Sequence, residues 1–547
     1  MLRKGVTLTA LLGGAGLAAA IGLGTSNMAS AAAAGPQTIV DAAYKAMGMT
    51  DVKLAEAEVV ALVIRGNLQA WDPGESESVA DPTKPDWGMS TFTETWDRSR
   101  NLYRMDWVRP RANGGMRTYT EIFTDEYGPT MGGYVSGIDV NGGQPARAVM
   151  GPNNQPLHTM SGLRLTAELR ELERDNVIDE AHDHPDRVFE APNQRAGGKS
   201  YPTVQYRGEY GSFYILFDPQ SHLPEIVRTR DWEVHDGDTD YDMALSDWRD
   251  IGKGVKMPFH RVVTANGQKI FDIKIDNVRF NPQLAVDTYT VPAALRGKAA
   301  APAPIGKVPF QWVLRRMGNG FYLDSDALYT DDGQQLRLVD LAPNTSMVQG
   351  GSHNTLIVAT NNYLVVFDAP GDDGMSNKVL DMAAQKYPGK PVKYVVLTHH
   401  HIDHTGGVRA FVAQGATLVV GKGDGAFWRK ALSYPANLNL YPIKGKVEPR
   451  VTEVTDKWSV NDGGREVDAF VLENPHATGY LIPYVPDAKL GWVTDLWNPG
   501  APVTMSNPVL VAVVNGVDKM GIKPERFAGG HGAVGNYADV EKVVKGR

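Results

Sequence analysis

Cysteine is entirely missing from the 547 residues. Its absence excludes disulfides, thiolate metal ligands and a cysteine nucleophile, and it closes the lipidated-cysteine route to a membrane anchor. Any metal site must therefore be built from His, Asp and Glu. A surplus of positive charge is missing as well: 55 Lys and Arg stand against 63 Asp and Glu, a formal net charge of −8. That balance supplies no basic surface, so no nucleic-acid partner is expected. Beyond the first thirty-odd residues there is no long apolar run, and the mature protein is expected to lack a transmembrane segment. No repeat occurs at solenoid or propeller periods.

Against these absences, a hydrophobic content of 42% with 22% charged residues is that of a soluble globular protein. The length predicts two or more domains. The first 34 residues differ from the rest. Arg3 and Lys4 precede a Leu/Ala/Gly-rich stretch from Gly5 to Leu23, and Ala29-Ser30-Ala31 forms an A-x-A-type cleavage site. Residues 1–34 are read as a signal peptide, and the mature protein is expected to be periplasmic or secreted. An Ala/Pro-dominated segment, Val291 to Lys307, reads as an extended linker. It divides a β-rich accessory domain, residues 37–290, from a domain of residues 308–547.

In the accessory domain, Phe213–Phe217, Glu225–Thr229 and Lys269–Ile275 are β-branched and aromatic runs separated by turn-rich stretches. Helical spacing occurs at Ile39–Met47 and Leu163–Leu172. A curved antiparallel sheet carrying helices is the expected form. The pattern from Arg249 to Phe259, followed by the Lys269 strand and Asn281-Pro282, resembles the end of the half-barrel of envelope lipoprotein-carrier proteins. That resemblance implies an apolar or lipid ligand for this domain. Six of the 11 tryptophans lie here and are read mainly as core.

The second domain alternates strands (Leu356–Ala359, Tyr363–Asp368, Val392–Leu397, Thr417–Gly421) with helices (Ser376–Tyr387, Gly425–Leu432). Of 13 histidines, four fall within six positions, in Leu397-Thr-His-His-His-Ile-Asp-His-Thr-Gly-Gly407. The preceding strand ends at Leu397, so these residues occupy a strand-to-helix loop on a rigid base. Alternate residues of an extended segment point the same way, so His399 and His401 can share one metal. Asp403 and His404 lie where the chain turns and can face a second. Imidazole and carboxylate donors suit zinc. His400 falls between ligands and is not expected to be one.

This loop resembles the signature of the metallo-β-lactamase superfamily, and the resemblance extends over residues 308–547. It implies an αββα sandwich, making the whole chain a two-domain α+β protein. It also implies later ligands at strand ends: His476 in Asn474-Pro-His-Ala-Thr-Gly479, Asp495 in Val493-Thr-Asp-Leu-Trp497, and His531 in Gly529-Gly-His-Gly532. The implied set is His399, His401 and His476 on one ion and Asp403, His404 and His531 on the other, with Asp495 bridging. Asp368 matches a position that supports the site without binding metal. Two Zn2+ per chain are expected, with iron or manganese as alternatives.

Two zinc ions would hold a bridging hydroxide near neutral pH, with Asp403 orienting the nucleophile. Tyr480 reads either as an oxyanion donor or as a core aromatic. Lack of Cys excludes β-lactamases with a Cys ligand, and His401 argues against the flavin-linked di-iron members, which carry Glu there. The resemblance is nearest to a bacterial group with T-H-H-H-x-D-H-x-G-G followed by N-P-H-x-x-G. Hydrolysis of an ester, thioester, lactone or similar bond in a small-molecule substrate is the leading expectation. The alternatives are a Cys-free β-lactamase, a mononuclear iron persulfide dioxygenase, and an envelope lipid- or partner-binding protein.

Other features carry structural readings. Asp236-Gly-Asp-Thr-Asp-Tyr-Asp242 lacks the Gly and Glu positions of a calcium loop and reads as a solvated turn. His182 and His184 lie in a polar turn. His353, in Gly350-Gly-Ser-His-Asn354, lies in a loop that could approach the metal site.

Overall fold

The computed structural model describes residues 35–49, 61–83, 86–98, 100, 102–110, 115–124, 132–141, 147–148, 157–298, 301–304, 336–351 and 353–546. The expected signal peptide, the end of the expected linker and the first 28 residues of the expected second domain, 308–335, lie outside them. Residues Pro36–Arg547 form one compact unit.

Among the described residues, the amino-terminal half is built on one fourteen-stranded antiparallel sheet. Its middle is the strand Ala61–Trp71, paired with Asp86–Asp97 on one side and Gln268–Phe280 on the other. Helices Pro36–Ala46, Gly162–Asp175 and Val177–Asp183 bury Val40, Ala43, Leu165, Leu169, Val177, Ile178 and Ala181 in the same core as the sheet residues Leu62, Ile64, Phe123, Tyr206 and Phe213. Two adjoining cavities of about 90 and 140 Å³ lie in this half and share Glu94, Tyr103, Asp175, Met243 and Arg261. They have room for a few water molecules and are lined partly by charge, which does not support the lipid ligand expected above.

Two expectations need correction. The Ala/Pro segment is not a free tether where it is described: Val291 and Leu295 are buried with Leu102, Ile122 and Tyr134. Ala303 donates its N–H to Gly162 O and accepts from the Thr166 hydroxyl. Apolar side chains at two of its positions were enough to dock it. The Asp236–Asp242 segment is not a solvated turn but leads into the strand Gly237–Gly252. Its Asp240 and Asp242 are held by Arg228 and Arg230 across the strand pair. His182 and His184 do lie at a surface helix end, with His182 stacked on Tyr44 and 3.1 Å from Asp41.

The carboxy-terminal half is a four-layer sandwich. Among the described residues one sheet has seven strands, from Arg337–Ala342 to Val451–Val454, and the other six, from Lys457–Asp462 to Val534–Asn536. The strand Thr355–Ala359 is buried on both faces because the sheet is covered twice. Leu356 and Val358 face the other sheet, against Val467, Leu481 and Trp492. Ile357 and Ala359 face helices Asp373–Lys386, Val408–Ala413 and Gly425–Ser433. Helices Pro508–Met520 and Tyr537–Lys545 cover the outer face of the second sheet. Continuous apolar strands of this kind need both faces buried, and an αββα order supplies that.

The halves meet through shared core and hydrogen bonds. Val234 of the amino-terminal half is buried in the helix-side core of the first sandwich sheet. His235 sits edge-on to Phe427 and Trp428. Asp238 donates its N–H to Pro435 O, 2.8 Å, and its carboxylate accepts from Asn437 and Leu438. Gly237 has φ +66°, and a Cβ there would lie 2.3 Å from Pro435 O, so this close approach requires glycine.

Candidate metal centre

The strand Val392–Val396 delivers the histidine loop to the carboxyl end of the first sheet, and a short helix, Ile402–Thr405, turns it inward. Asp368, at the end of the neighbouring strand Leu364–Phe367, anchors the loop. It is fully buried, with φ +59°, and accepts from Thr398 N at 2.7 Å, from the Thr398 hydroxyl at 3.0 Å and from Trp492 Nε1 at 2.8 Å. A non-glycine residue in that backbone region is sparsely populated, and three donors hold it there.

That anchor sets the histidine tautomers. The Thr398 hydroxyl donates to Asp368, so it accepts from His399 Nδ1 at 3.2 Å and leaves the His399 Nε2 lone pair facing the cleft. His401 Nε2 donates to Ser76 O at 2.9 Å, so its Nδ1 faces the cleft. Burial pushes His399 down to about 3 and His401 well below the ordinary imidazole value, keeping both neutral.

The later residues come from the second sheet. Asn474 fixes the His476 loop by accepting from the His476 and Ala477 N–H groups and donating to Leu472 O and Ala477 O. Gly421 passes under this loop so closely that a Cβ would lie 1.6 Å from Gly479 O. Asp495 follows the strand Leu490–Val493 with φ +61°. Asn354 donates its side-chain N–H to Gly529 O and Gly532 O, and its main-chain N–H to Gly530 O. These bonds tie the loop of His353 to that of His531.

Among the described residues two four-residue groups of donor atoms result, the atoms of each within 4.8 Å of one another: His399, His401, His476 and Asp495; and His353, Asp403, His404 and His531. A third group, Glu75, His401 and Asp403, takes one member from each. Asp495 lies between the two four-residue groups. Its Oδ2 is 3.2 Å from His399 Nε2, 3.2 Å from His476 Nε2 and 3.0 Å from His404 Nε2, and its Oδ1 is 2.7 Å from His531 Nε2. All seven residues expected from the sequence are thus brought together. His353 joins them, with Nε2 3.3 Å from Asp403 Oδ2 and its ring against His404 and His531.

The donor set fits divalent cations. His399 Nε2 presents a lone pair to a carboxylate and to a second imidazole nitrogen, 3.2 Å away in each case. A cation between them turns that repulsion into coordination, and N/O donors of this type suit zinc. The electrostatics agree. Burial alone would raise Asp403 and Asp495, but the adjacent His404 helps to hold both well below the usual carboxylate range. Burial opposes charge on His404 too, yet the two carboxylates outweigh it and push the imidazole up to about 10. A proton there balances carboxylates arranged for positive charge.

Tyr480 does not fit the oxyanion role. Its hydroxyl donates to Thr494 O at 2.7 Å and accepts from Thr494 N at 2.9 Å, and the side chain is fully buried with its ring stacked on His399. It is the core aromatic of the two readings. His400 is buried outside both groups, its Nε2 3.3 Å from Ser76 Oγ. Sequence reasoning missed Glu75 and Ser76, which sit against His400 and His401 from the amino-terminal half. Nothing in the residues Asp72-Pro-Gly-Glu-Ser76 signals a site 325 positions away.

A four-layer αββα sandwich with histidine and aspartate clustered at the strand ends defines a metallo-hydrolase-like fold of the metallo-β-lactamase type. Residues 348–531 match the family model described as the Metallo-beta-lactamase superfamily. Among curated proteins, the chain is similar to a metallo-beta-lactamase type 2 of Bacillus cereus, 23% identical over 137 residues, 25% of this chain and 48% of that protein. The chain thus spans about half the length of the curated relatives it matches. Similar solved structures include a metallo-beta-lactamase from Pontibacter korlensis, with 20% identity and TM-score 0.31, covering 39% of this chain and 98% of that one. Another is the inverting sec-alkylsulfatase Pisa1 from Pseudomonas sp., with 19% identity and TM-score 0.29, covering 38% and 40%.

Proposed function

We propose that this protein is a dinuclear zinc hydrolase acting on an ester, thioester, lactone or similar bond of a small molecule. The observation that carries the reading is the position of Asp495, whose two carboxylate oxygens reach both donor groups. His399, His401 and His476 would hold one ion and Asp403, His404 and His531 the other, with Asp495 between them. When bound, such ions supply a hydroxide nucleophile near neutral pH and polarise the substrate oxygen.

The chain's own groups perform the rest. Asp403 accepts a hydrogen bond from the nucleophile and aims it at the substrate carbon. His353, kept neutral because burial pushes it down to about 4, donates to Asp403 and fixes that carboxylate's direction. Asp368 and Thr398 hold the His399 ring so that its Nε2 stays in the cleft. The deep, mostly buried cluster limits bulk water around the reacting centre.

The reading is tested by screening the zinc-loaded protein on lactones, thioesters, simple esters, phosphoesters and nitrocefin. Turnover of a carboxylic ester, thioester or lactone that falls at least ~10²-fold in Asp403→Ala is expected. Turnover confined to nitrocefin or phosphoesters would overturn the proposed substrate class, and oxygen uptake with iron would overturn the hydrolase.

A further inference from the structure

The metal centre is not built from the carboxy-terminal half alone. The one-turn segment Pro73–Glu75, which follows the central strand Ala61–Trp71, is laid directly against it. Asp72 caps this turn: its side chain accepts from Gly74 N at 3.1 Å, and its carbonyl accepts from Glu75 N at 3.0 Å. Ser76 is buried and engaged on two sides. Its carbonyl accepts from His401 Nε2, and its hydroxyl donates to Ser78 O and so accepts from His400 Nε2. Glu77 O accepts from Thr478 N at 2.8 Å, two residues beyond His476. The segment therefore clasps both loops that carry the first donor group.

This clasp aims the Glu75 carboxylate into the centre. Glu75 Oε2 lies 3.7 Å from His401 Nδ1, its side chain is only 13% exposed, and it forms a donor group with His401 and Asp403 in which all donor atoms lie within 4.8 Å. A simple ion pair with His401 is a poor account of this approach. The His401 proton is already on Nε2, where Ser76 O accepts it, so Nδ1 turns a lone pair towards two carboxylates. A cation at that point would take up the lone pair and the carboxylates together.

We propose that Glu75 is a metal-site carboxylate supplied by the amino-terminal half, an oxygen donor to the divalent ion held at His401. The proposal rests on the metal-binding reading above and extends it: the amino-terminal sheet completes the centre. A third carboxylate also lowers the net charge of a loaded site, which disfavours polyanionic substrates relative to neutral ones.

The test is zinc titration of the full chain against a chromophoric chelator, with the visible spectrum of the Co2+-loaded protein as a second readout. In Glu75→Gln, one of the two ions should bind ~10–100-fold more weakly, with a shifted cobalt spectrum. Glu77→Gln, which removes an exposed carboxylate from the same segment, should match the wild type. Should Glu75→Gln fold poorly, Glu75→Asp, which withdraws the carboxylate by one methylene, must still weaken that ion. Wild-type affinity and spectrum in the Glu75 variants, or equal weakening in Glu77→Gln, would overturn the proposal while leaving the seven-residue centre standing. A wild-type chain that binds no divalent ion would instead overturn the metal reading, and the Glu75 assignment with it.

Discussion

The imidazole Nε2 of His401 donates to the main-chain oxygen of Ser76, 2.9 Å away and 325 positions earlier in the chain. Such a bond fixes both the ring and its tautomer, leaving Nδ1 as the metal-facing atom. The orientation of one metal-site histidine is thus set by the other half of the molecule.

Asp368 holds the same loop from below. In Asp368→Ala, Thr398 N, the Thr398 hydroxyl and Trp492 Nε1 lose their acceptor in a fully buried place. Each stranded donor costs about 1–3 kcal/mol. Denaturant unfolding of the metal-free variant should therefore show a loss of roughly 3 kcal/mol or more. A loss below about 1 kcal/mol would mean that the anchor is dispensable.

Gly421 gives a selective handle on the first donor group. A Cβ there meets Gly479 O at 1.6 Å, so Gly421→Ala must push the His476 loop outward. Metal analysis should show loss of the ion at His399, His401 and His476, with the ion at Asp403, His404 and His531 retained. Equal loss of both ions would show that the two groups are not separable in this way.

Tyr480→Phe separates the two readings of that tyrosine. Its hydroxyl bonds only the Thr494 main chain among the described residues, so the variant should lose about 1–2 kcal/mol of stability. Its kcat/KM should stay within about tenfold of wild type, short of the ~10²-fold or larger cost of removing an oxyanion donor. A drop of that size with unchanged stability would restore the oxyanion role.

Asp424 makes stability depend on pH. Burial, then the nearby Glu453, pushes its carboxyl up to about 8 from an ordinary 3.8. The folded protein keeps this proton where the unfolded chain has released it, so the group's contribution is complete below pH 3.8 and is lost as pH rises through about 8. Thermal unfolding from pH 5 to 9 should show a steeper decline in the wild type than in Asp424→Asn. Parallel profiles would contradict the shift.

Much of the sandwich was legible because its strands are continuous Val/Leu/Ile runs between helices with 3.6-residue spacing. Thr417–Gly421 matches the run read from the sequence, and Val392–Val396 differs from it by one residue. The histidine loop was legible because its donors are close in sequence. His476, Asp495 and His531 became legible only through the family resemblance. His353 was legible only as part of a loop able to approach the site; its place against Asp403 needed the fold, since the hydrogen bonds of Asn354 that hold the loop span some 175 positions. Glu75 and Ser76 were illegible for the same reason, as was the docking of the Ala/Pro segment, whose two buried residues are sparse among Ala and Pro. The Asp236–Asp242 run was misread because its carboxylates are neutralised by arginines on a neighbouring strand.

Metal content before and after Asp495→Ala tests the central claim most directly. The wild type should retain two zinc ions per chain after passage through chelator-treated buffer, and Asp495→Ala should retain one or none, with hydrolysis reduced in step. A single iron in the wild type with oxygen uptake, or two ions and an unchanged rate in Asp495→Ala, would contradict the dinuclear hydrolase.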